Sequence, residues 1–275
     1  MKTKAFCRQT FRHKSSKPTP ICRNPCHTKG PGKPPGKAQH PGKTHPMDQA
    51  VSLPLLLFFG LTVLLTLFFL AKATQSKVVI LGSIGWILLQ SAVSLSGFYL
   101  NISTLPPHFA LALFPPLAFV LGILFFPAGK RLADNMKLDW TILLHTVRIP
   151  VEITLFYLFL AHQVPALMTF EAGNIDILAG LTAPIIWWAR RKGKLNNKLF
   201  LTWNAFCLVT LANVVARALL SAPFRFQRIA FDQPTVAVLY FPFVLLPAFI
   251  VPAVLFCHLA TLRTLLVPTP ASSAR

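Results

Sequence analysis

The sequence predicts an all-α fold, a bundle of about seven transmembrane helices. Hydrophobic residues make up 54% of the chain and charged residues only 12%, whereas about a quarter of the residues in soluble chains are charged. Apolar runs of about 20 residues, the length that crosses a bilayer as a helix, recur along the chain. Basic residues gather in the loops between these runs, as they do beside membrane spans. Together these observations exclude a water-soluble core.

Seven apolar runs are long enough to be read as spans. Their bounds are 50–71, 78–100, 107–128, 141–163, 175–189, 198–220 and 236–262. The fifth is short, which predicts a tilted or partly re-entrant element. The seventh contains Pro242, Pro247 and Pro252, so we expect a helix that is not straight. Its bends suit either a movable, ligand-lining helix or fixed curvature.

The charges of the short loops predict the orientation of the bundle. The loops after spans 1, 3 and 5 contain ten basic residues: Lys72, Lys77, Lys130, Arg131, Lys137, Arg190, Arg191, Lys192, Lys194 and Lys198. The loops on the opposite side contain only two basic residues, Arg225 and Arg228. Basic loops remain cytoplasmic. The N-terminus is therefore predicted outside and the C-terminus in the cytoplasm.

The chain divides into a tail, 1–47, and a seven-helix transmembrane domain, 48–275. The tail is rich in Pro and Gly and holds eleven Lys and Arg but no acidic residue, a composition typical of disorder. Its charge opposes an outside N-terminus, and this conflict disappears if translation starts at Met47. Residues 1–46 are therefore an upstream translation artefact, a genuine basic tail or an organelle presequence.

A polar stripe in the fourth span is the main candidate functional site. His145, Arg148 and Glu152 fall within an arc of about 60° on a helix, and Pro150 frees a backbone carbonyl between them. Ionisable groups inside a membrane usually mark a ligand or ion path. We expect Arg148 to attract an anionic group or position Glu152, Glu152 to exchange a proton or bind a cation, and His145 to tune both. A purely structural Arg148–Glu152 pair is the alternative.

Other spans offer partners for this stripe. Gln90 in span 2, Asn204 in span 6 and His258 in span 7 complete the candidate ligand-binding set. On the outer side, Asp176 begins span 5 and Arg217 ends span 6. These last two residues form a predicted outer ion pair.

The leading functional hypothesis is a non-enzymatic protein of the lipid bilayer that binds, transports or senses a small solute, ion or lipid. One alternative is an intramembrane enzyme that uses His145 and His258 to hold haem, or both with Glu152 to hold a catalytic metal. Another is a structural or assembly subunit. No cofactor is predicted, and the oligomeric state is left open.

Several other functional classes are excluded because the sequence lacks the motifs that they require. Span 7 has no lysine for a retinal Schiff base, and no phosphate-binding loop or nucleophile elbow is present. The tail motif Cys22-x-x-x-Cys26-His27 lacks a second ligand pair at fixed spacing, so no metal site is predicted. Nucleic-acid binding is not expected, because the basic tail has little aromatic interleaving.

Three strings carry a resemblance to known sequences: HTVRIPVEI, MTFEAGNIDILAGLTAPI and FDQPTVAVLYFPFVLLPAFIVPAVLFCHLA. They resemble a family of uncharacterised bacterial multi-helix membrane proteins, over roughly residues 47–266. The resemblance implies the bacterial inner membrane and the start at Met47. It implies no activity, cofactor or site residue.

Overall fold

Residues 51–267 are described by a computed structural model, and within them every regular element is a helix. The α-helices are α1 (Leu53–Thr74), α2 (Lys77–Leu95), α3 (Ala110–Ile123), α4 (Pro127–Asp134), α5 (Leu138–Leu144), α6 (Arg148–Leu160), α7 (Ile177–Arg191), α8 (Asn197–Ser221) and α9 (Val251–Leu266). A 3₁₀ turn, His145–Val147, joins α5 to α6, and a π-turn, Leu246–Ile250, precedes α9. The predicted tail, 1–47, lies outside the described residues.

Five helical stretches in this part of the chain are long and apolar enough to cross a membrane, judged by length and composition. They are Leu53–Thr74, Lys77–Leu95, Leu138–Leu160, Asn197–Ser221 and Leu246–Leu266. A sixth is added if α3 and α4 are counted as one bent span. The all-α class and the membrane-type helices are thereby confirmed.

The third predicted span, 107–128, differs from the structure because the chain turns before the run ends. Helix α3 stops at Ile123, and α4 leaves at an angle of 84°. Gly129 makes this turn possible, because a Cβ atom there would lie 1.9 Å from the carbonyl oxygen of Ile123. No side chain fits at that distance. The bend therefore depends on a single glycine.

The seventh predicted span, 236–262, begins about ten residues too early. The membrane-length stretch starts at Leu246, after a 3₁₀ turn at Ala237–Leu239. Pro252 lies in the first turn of α9, where the missing N–H is tolerated. It cannot donate to the carbonyl of Ala248, which instead accepts from the indole N–H of Trp86 at 2.9 Å. Pro247 lies likewise in the first turn of the stretch that begins at Leu246, so this proline marks its start.

The stretch Leu138–Leu160 is central to the bundle, whereas α2 is peripheral. Within an apolar window of 18 residues, 56% of the residues are buried in Leu138–Leu160, but only 11% are buried in α2. Helices α1 and α7 contact both α5 and α6, and α9 contacts α5 and α8. Residues on the central stretch are therefore surrounded by several helices, which is the environment that buried charges need.

Candidate ligand-binding site

Arg148 is the hub of a buried polar network. Its side chain is 3% exposed, and Nη1 donates to Asp176 Oδ1 at 2.7 Å, to the Cys207 carbonyl at 3.1 Å and to Thr210 Oγ1 at 3.1 Å. Nη2 lies 2.7 Å from His258 Nε2. Acceptors for one guanidinium therefore come from α8, from α9 and from the residue that precedes α7. A buried ion pair persists when further hydrogen bonds satisfy its remaining donors.

The hydrogen bonds around His258 define its tautomer. A guanidinium can only donate, so Nε2 of His258 must accept the bond from Arg148. The proton then lies on Nδ1, which is 2.8 Å from Asn204 Oδ1. Asn204 Nδ2 in turn donates to the His258 carbonyl at 3.2 Å. His258 is therefore held neutral, with both ring nitrogens engaged.

Glu152 lies one helical turn beyond Arg148 and does not pair with it. Its Oε1 accepts a short hydrogen bond from Asn174 Nδ2, which also donates to the Met168 carbonyl at 3.0 Å. Within the described residues Oε2 of Glu152 and Nε of Arg148 are buried and have no hydrogen-bond partner. An acceptor and a donor on neighbouring turns of α6 are therefore both unsatisfied.

Asp176 reaches Arg148 because α7 starts deep in the bundle. Arg148 is near the middle of the stretch Leu138–Leu160, and Asp176 is the residue before α7 begins. Helix α7 has 15 residues, which span about 22 Å, less than the hydrocarbon thickness of about 30 Å. Its start at the level of Arg148 explains why the fifth predicted span was short.

Gly180 brings α7 against the polar stripe. A Cβ at this position would lie 2.9 Å from Cγ1 of Ile149 and 3.4 Å from Cβ of Arg148. The neighbouring small residues Ala179 and Ala183 are fully buried. Small residues allow close approach of membrane helices. The distance between Arg148 and Asp176 therefore depends on the composition of α7.

A cavity of about 70 Å³ is lined by Arg148 and Glu152, the two residues that carry these unsatisfied atoms. Among the described residues that line it, only Arg148, Glu152 and Asp176 are ionisable. The remaining wall is apolar and comes from α3, α6, α8, α9 and the turns next to them. Each water-sized group needs roughly 10–15 Å³ of such volume. The cavity therefore has room for about five water-sized groups.

A wider groove adjoins the cavity. It measures about 380 Å³ and shares Phe109, Leu113 and Leu219 with the cavity wall. Its margin includes Leu105 and Phe114, which are 72% and 58% exposed. All its lining residues are apolar. The groove and the cavity thus meet along the three apolar residues that they share.

The structure brings most, though not all, of the predicted ligand-binding set together. Arg148, Asn204 and His258 share one hydrogen-bond network, and the ring of His145 stacks on that of His258 with centroids 4.1 Å apart. Gln90 lies elsewhere: its Oε1 accepts a hydrogen bond from the Tyr99 hydroxyl. Gln90 therefore ties the end of α2 to the following turn.

The structure contains neither the predicted outer pair of Asp176 and Arg217 nor the alternative pair of Arg148 and Glu152. Arg148 pairs with Asp176 instead of Glu152. Asp176 precedes α7 and lies next to Nη1 of the guanidinium, whereas Glu152 accepts a hydrogen bond from Asn174. Arg217 does not pair with Asp176. It donates to the carbonyls of Leu167 and Ala172, at 2.8 and 3.4 Å. These carbonyls lie in short 3₁₀ turns, which leave backbone acceptors free for a cation.

The histidine pair is not arranged for haem or metal. The two rings are stacked with an interplanar angle of 22°, whereas paired axial ligands approach an iron from opposite sides. Both nitrogens of His258 are already engaged. Between residues 51 and 267, no group of three or more His, Cys, Asp or Glu side chains is placed to bind a metal ion.

Three contributors to the network were missed by sequence reasoning. They are Thr210, the backbone carbonyl of Cys207 and the amide of Asn174 as the partner of Glu152. A threonine or a carbonyl in an apolar helix carries no sequence signal of its own. The small residues of α7, AGLTA, were a usable sign that this helix packs closely on a neighbour.

Residues 105–266 match the family described as a domain of unknown function, DUF8737. The match covers more than half of the chain, which therefore belongs to this family. It includes every member of the Arg148 network and the whole wall of the cavity. No curated protein and no solved structure matches the chain.

Proposed function

We propose that this member of the DUF8737 family is a multi-pass protein of the bacterial inner membrane that binds a small solute for transport or sensing. Seven spans, an outside N-terminus and a cytoplasmic C-terminus complete the proposal. The helical stretches of membrane length and the basic loops after spans 1, 3 and 5 support this arrangement.

One observation carries the proposal: the two side chains that carry an unsatisfied donor and an unsatisfied acceptor line the same cavity. Arg148 Nε and Glu152 Oε2 are both without partners among the described residues, and both side chains line the cavity. Leaving a buried donor or acceptor unsatisfied costs about 1–3 kcal/mol. A polar solute in the cavity would offset this cost by hydrogen bonding to the two side chains once they turn toward it.

The path of the backbone supports the same function. The segment before α7 is non-helical, yet Asn174 and Asp176 are 1% and 4% exposed and meet the middle of a membrane-length helix. Irregular backbone at membrane depth is tolerated where protein or a cavity surrounds it. Short helices that begin near the midplane are typical of solute sites in transporters.

A cavity-filling variant tests this function. The full chain in lipid nanodiscs is screened by thermal unfolding against a library of small polar solutes, as wild type and as Val214→Phe. Val214 lines the cavity, and the control Val209→Phe changes a residue of the same helix that is 67% exposed. We expect solutes that raise the Tm of the wild type and the control but leave that of Val214→Phe unchanged. If no solute gives this pattern, the proposal is wrong.

A further inference from the structure

We propose that the wider groove binds an acyl chain of an anionic phospholipid, whose phosphate contacts Arg225 and Arg228. This inference goes beyond the solute site and does not depend on it. It follows from the packing of the groove wall, the depth of the groove in the membrane and the two arginines at its end.

The groove is a concave surface built by three parts of the chain. They are the segment before α3, the first turns of α3, and the end of α8 with the residues that follow it. Phe109 stacks on Phe224 with ring centroids 5.7 Å apart, and Phe224 lies 5.4 Å from Phe226. Phe109 and Phe224 are both buried. Packing between aromatic rings therefore holds the wall in place.

The groove lies at the depth where lipid chains meet their headgroups. Helix α8 has 25 residues, which rise by about 37 Å and exceed the hydrocarbon thickness of about 30 Å. The groove residue Leu219 lies in the last turn of this helix. The exposed side chains of Leu105 and Phe114 form the margin of the groove. A chain of the bilayer can therefore enter from the side.

An acyl chain suits the size and lining of this groove. At roughly 10–15 Å³ for each water-sized group, a groove of about 380 Å³ holds about 25 such groups, and a methylene group is about that size. A chain of about sixteen carbons therefore fits. Lipid tails are as apolar as the side chains of the wall, so entering the groove adds packing contacts but little hydrophobic free energy. Selectivity for one lipid must then come from its headgroup.

Two arginines lie at the end of the groove. Arg225 stands between the groove residues Phe224 and Phe226. Arg228 folds back on α8, because its backbone N–H donates to the carbonyl of Leu220 at 2.9 Å. Both side chains are exposed, and in the described part of the chain neither pairs with a carboxylate. Guanidinium groups bind phosphate oxygens by charge-assisted hydrogen bonds.

The carboxylate of Asp232, in the same connecting segment, lies beside a different helix. Its neighbour Gln233 donates to the carbonyls of Phe159 and Val164, at the end of α6, at 3.0 and 2.6 Å. Among the described residues that line the groove, none belongs to α6. The charge beside the groove is therefore positive, which favours an anionic headgroup.

Photo-crosslinking tests this preference in the wild-type chain. The full chain is placed in phosphatidylcholine nanodiscs with a trace of phosphatidylglycerol or phosphatidylcholine that carries a diazirine in one acyl chain. Peptide mass spectrometry measures labelling of the groove residues and of Leu88 and Leu95 on α2. These leucines are 65% and 70% exposed and report ordinary contact with the bilayer.

The labelling ratio of groove to α2 separates a specific site from ordinary bilayer contact. Each basic residue near the membrane surface favours anionic lipid about fivefold, and two favour it about thirtyfold. We therefore expect the ratio to be at least about tenfold higher with phosphatidylglycerol than with phosphatidylcholine. Equal ratios for the two lipids overturn the inference, and this comparison does not depend on the folding of a variant.

A double variant tests the arginines. We expect Arg225→Gln combined with Arg228→Gln to lower the phosphatidylglycerol ratio to that of phosphatidylcholine. The control, Lys192→Gln with Lys198→Gln, removes two exposed basic residues near the opposite end of α8 and should leave the ratio unchanged. An arginine double variant with the wild-type ratio contradicts the inference.

A groove-filling variant tests where the chain lies. Ala110 lines the groove, whereas Ala118 is exposed on the same helix. We expect Ala110→Trp to abolish the excess labelling of the other groove residues and Ala118→Trp to preserve it. Full labelling in Ala110→Trp would place the lipid outside the groove and overturn the inference.

Discussion

The two sides of Arg148 differ in how completely they are satisfied. Toward α7, α8 and α9, the Nη atoms meet Asp176, the Cys207 carbonyl, Thr210 and His258, all within 3.1 Å. Toward Glu152, Nε has no partner among the described residues, and the neighbouring Oε2 has none either. The Nη side of this buried cation is thus hydrogen-bonded, and we call it the closed side. The Nε side, which faces Glu152 and lacks a partner, is the open side.

This difference distinguishes polar groups that stabilise the fold from polar groups that form a candidate binding site. Buried polar groups in folded proteins are almost always hydrogen-bonded, so the closed side is what helix packing requires. The open side borders a cavity of about 70 Å³ and is an exception to that rule. Changes on the closed side should therefore affect stability, and changes on the open side should affect ligand binding.

Asp176→Ala would break the closed side most severely. It leaves the Arg148 guanidinium buried without its counter-ion, so we expect the free energy of unfolding to fall by about 3–5 kcal/mol. Denaturant titration of the full chain in mixed micelles measures the change. The matched control is Asp139→Ala, which removes exposed pairs to Arg190 and Arg191 at 3.4 and 3.3 Å and should cost about 1 kcal/mol or less. Equal losses would contradict the structure.

Asn204→Leu would open the network at its far end. The His258 Nδ1–H then loses its acceptor at 2.8 Å, and the tautomer that accepts from Arg148 is no longer favoured. We expect a loss of about 1–3 kcal/mol in the free energy of unfolding. Thr202→Leu, on the exposed side of the same helix, should change it by about 0.5 kcal/mol or less. A loss for Asn204→Leu as small as that of the control would show that the hydrogen bond from Asn204 is not needed to fix the tautomer of His258.

Glu152→Gln should have the smallest effect on stability. The amide has nearly the same shape and keeps an oxygen that can accept from Asn174, so we expect the free energy of unfolding to change by about 1 kcal/mol or less. The same titration measures it. A loss as large as that of Asp176→Ala would make Glu152 part of the closed network and would end the distinction between the two sides.

Much of the fold was predictable because it depends on composition and length. The apolar runs predicted the spans Leu138–Leu160 and Asn197–Ser221 within about three residues. The second predicted span ran five residues past the end of α2 at Leu95. Two other predicted ends that failed, after α3 and before α9, lie where glycine or proline interrupts an apolar run. Gly129 permits the bend after α3, and the prolines delay the start of α9. Hydrophobicity alone does not register either effect.

The candidate site was predictable only along its own helix. Helical spacing placed His145, Arg148 and Glu152 on one face, because residues three and four apart share a face on any helix. Their partners on other helices were only partly recovered. Asn204 and His258 were included, but Asp176 was assigned to Arg217, and Gln90 bonds to Tyr99 outside the Arg148 network.

The sequence by itself determined that this chain forms apolar helices of membrane length and that one of them carries a polar face. Only the tertiary structure decided which groups that face meets and which atoms remain unsatisfied. The reason is physical: spacing along a helix follows from a fixed rise and turn, whereas pairing between helices depends on how closely they pack. Here Gly180 permits the approach that joins Arg148 to Asp176 and leaves Glu152 at the cavity.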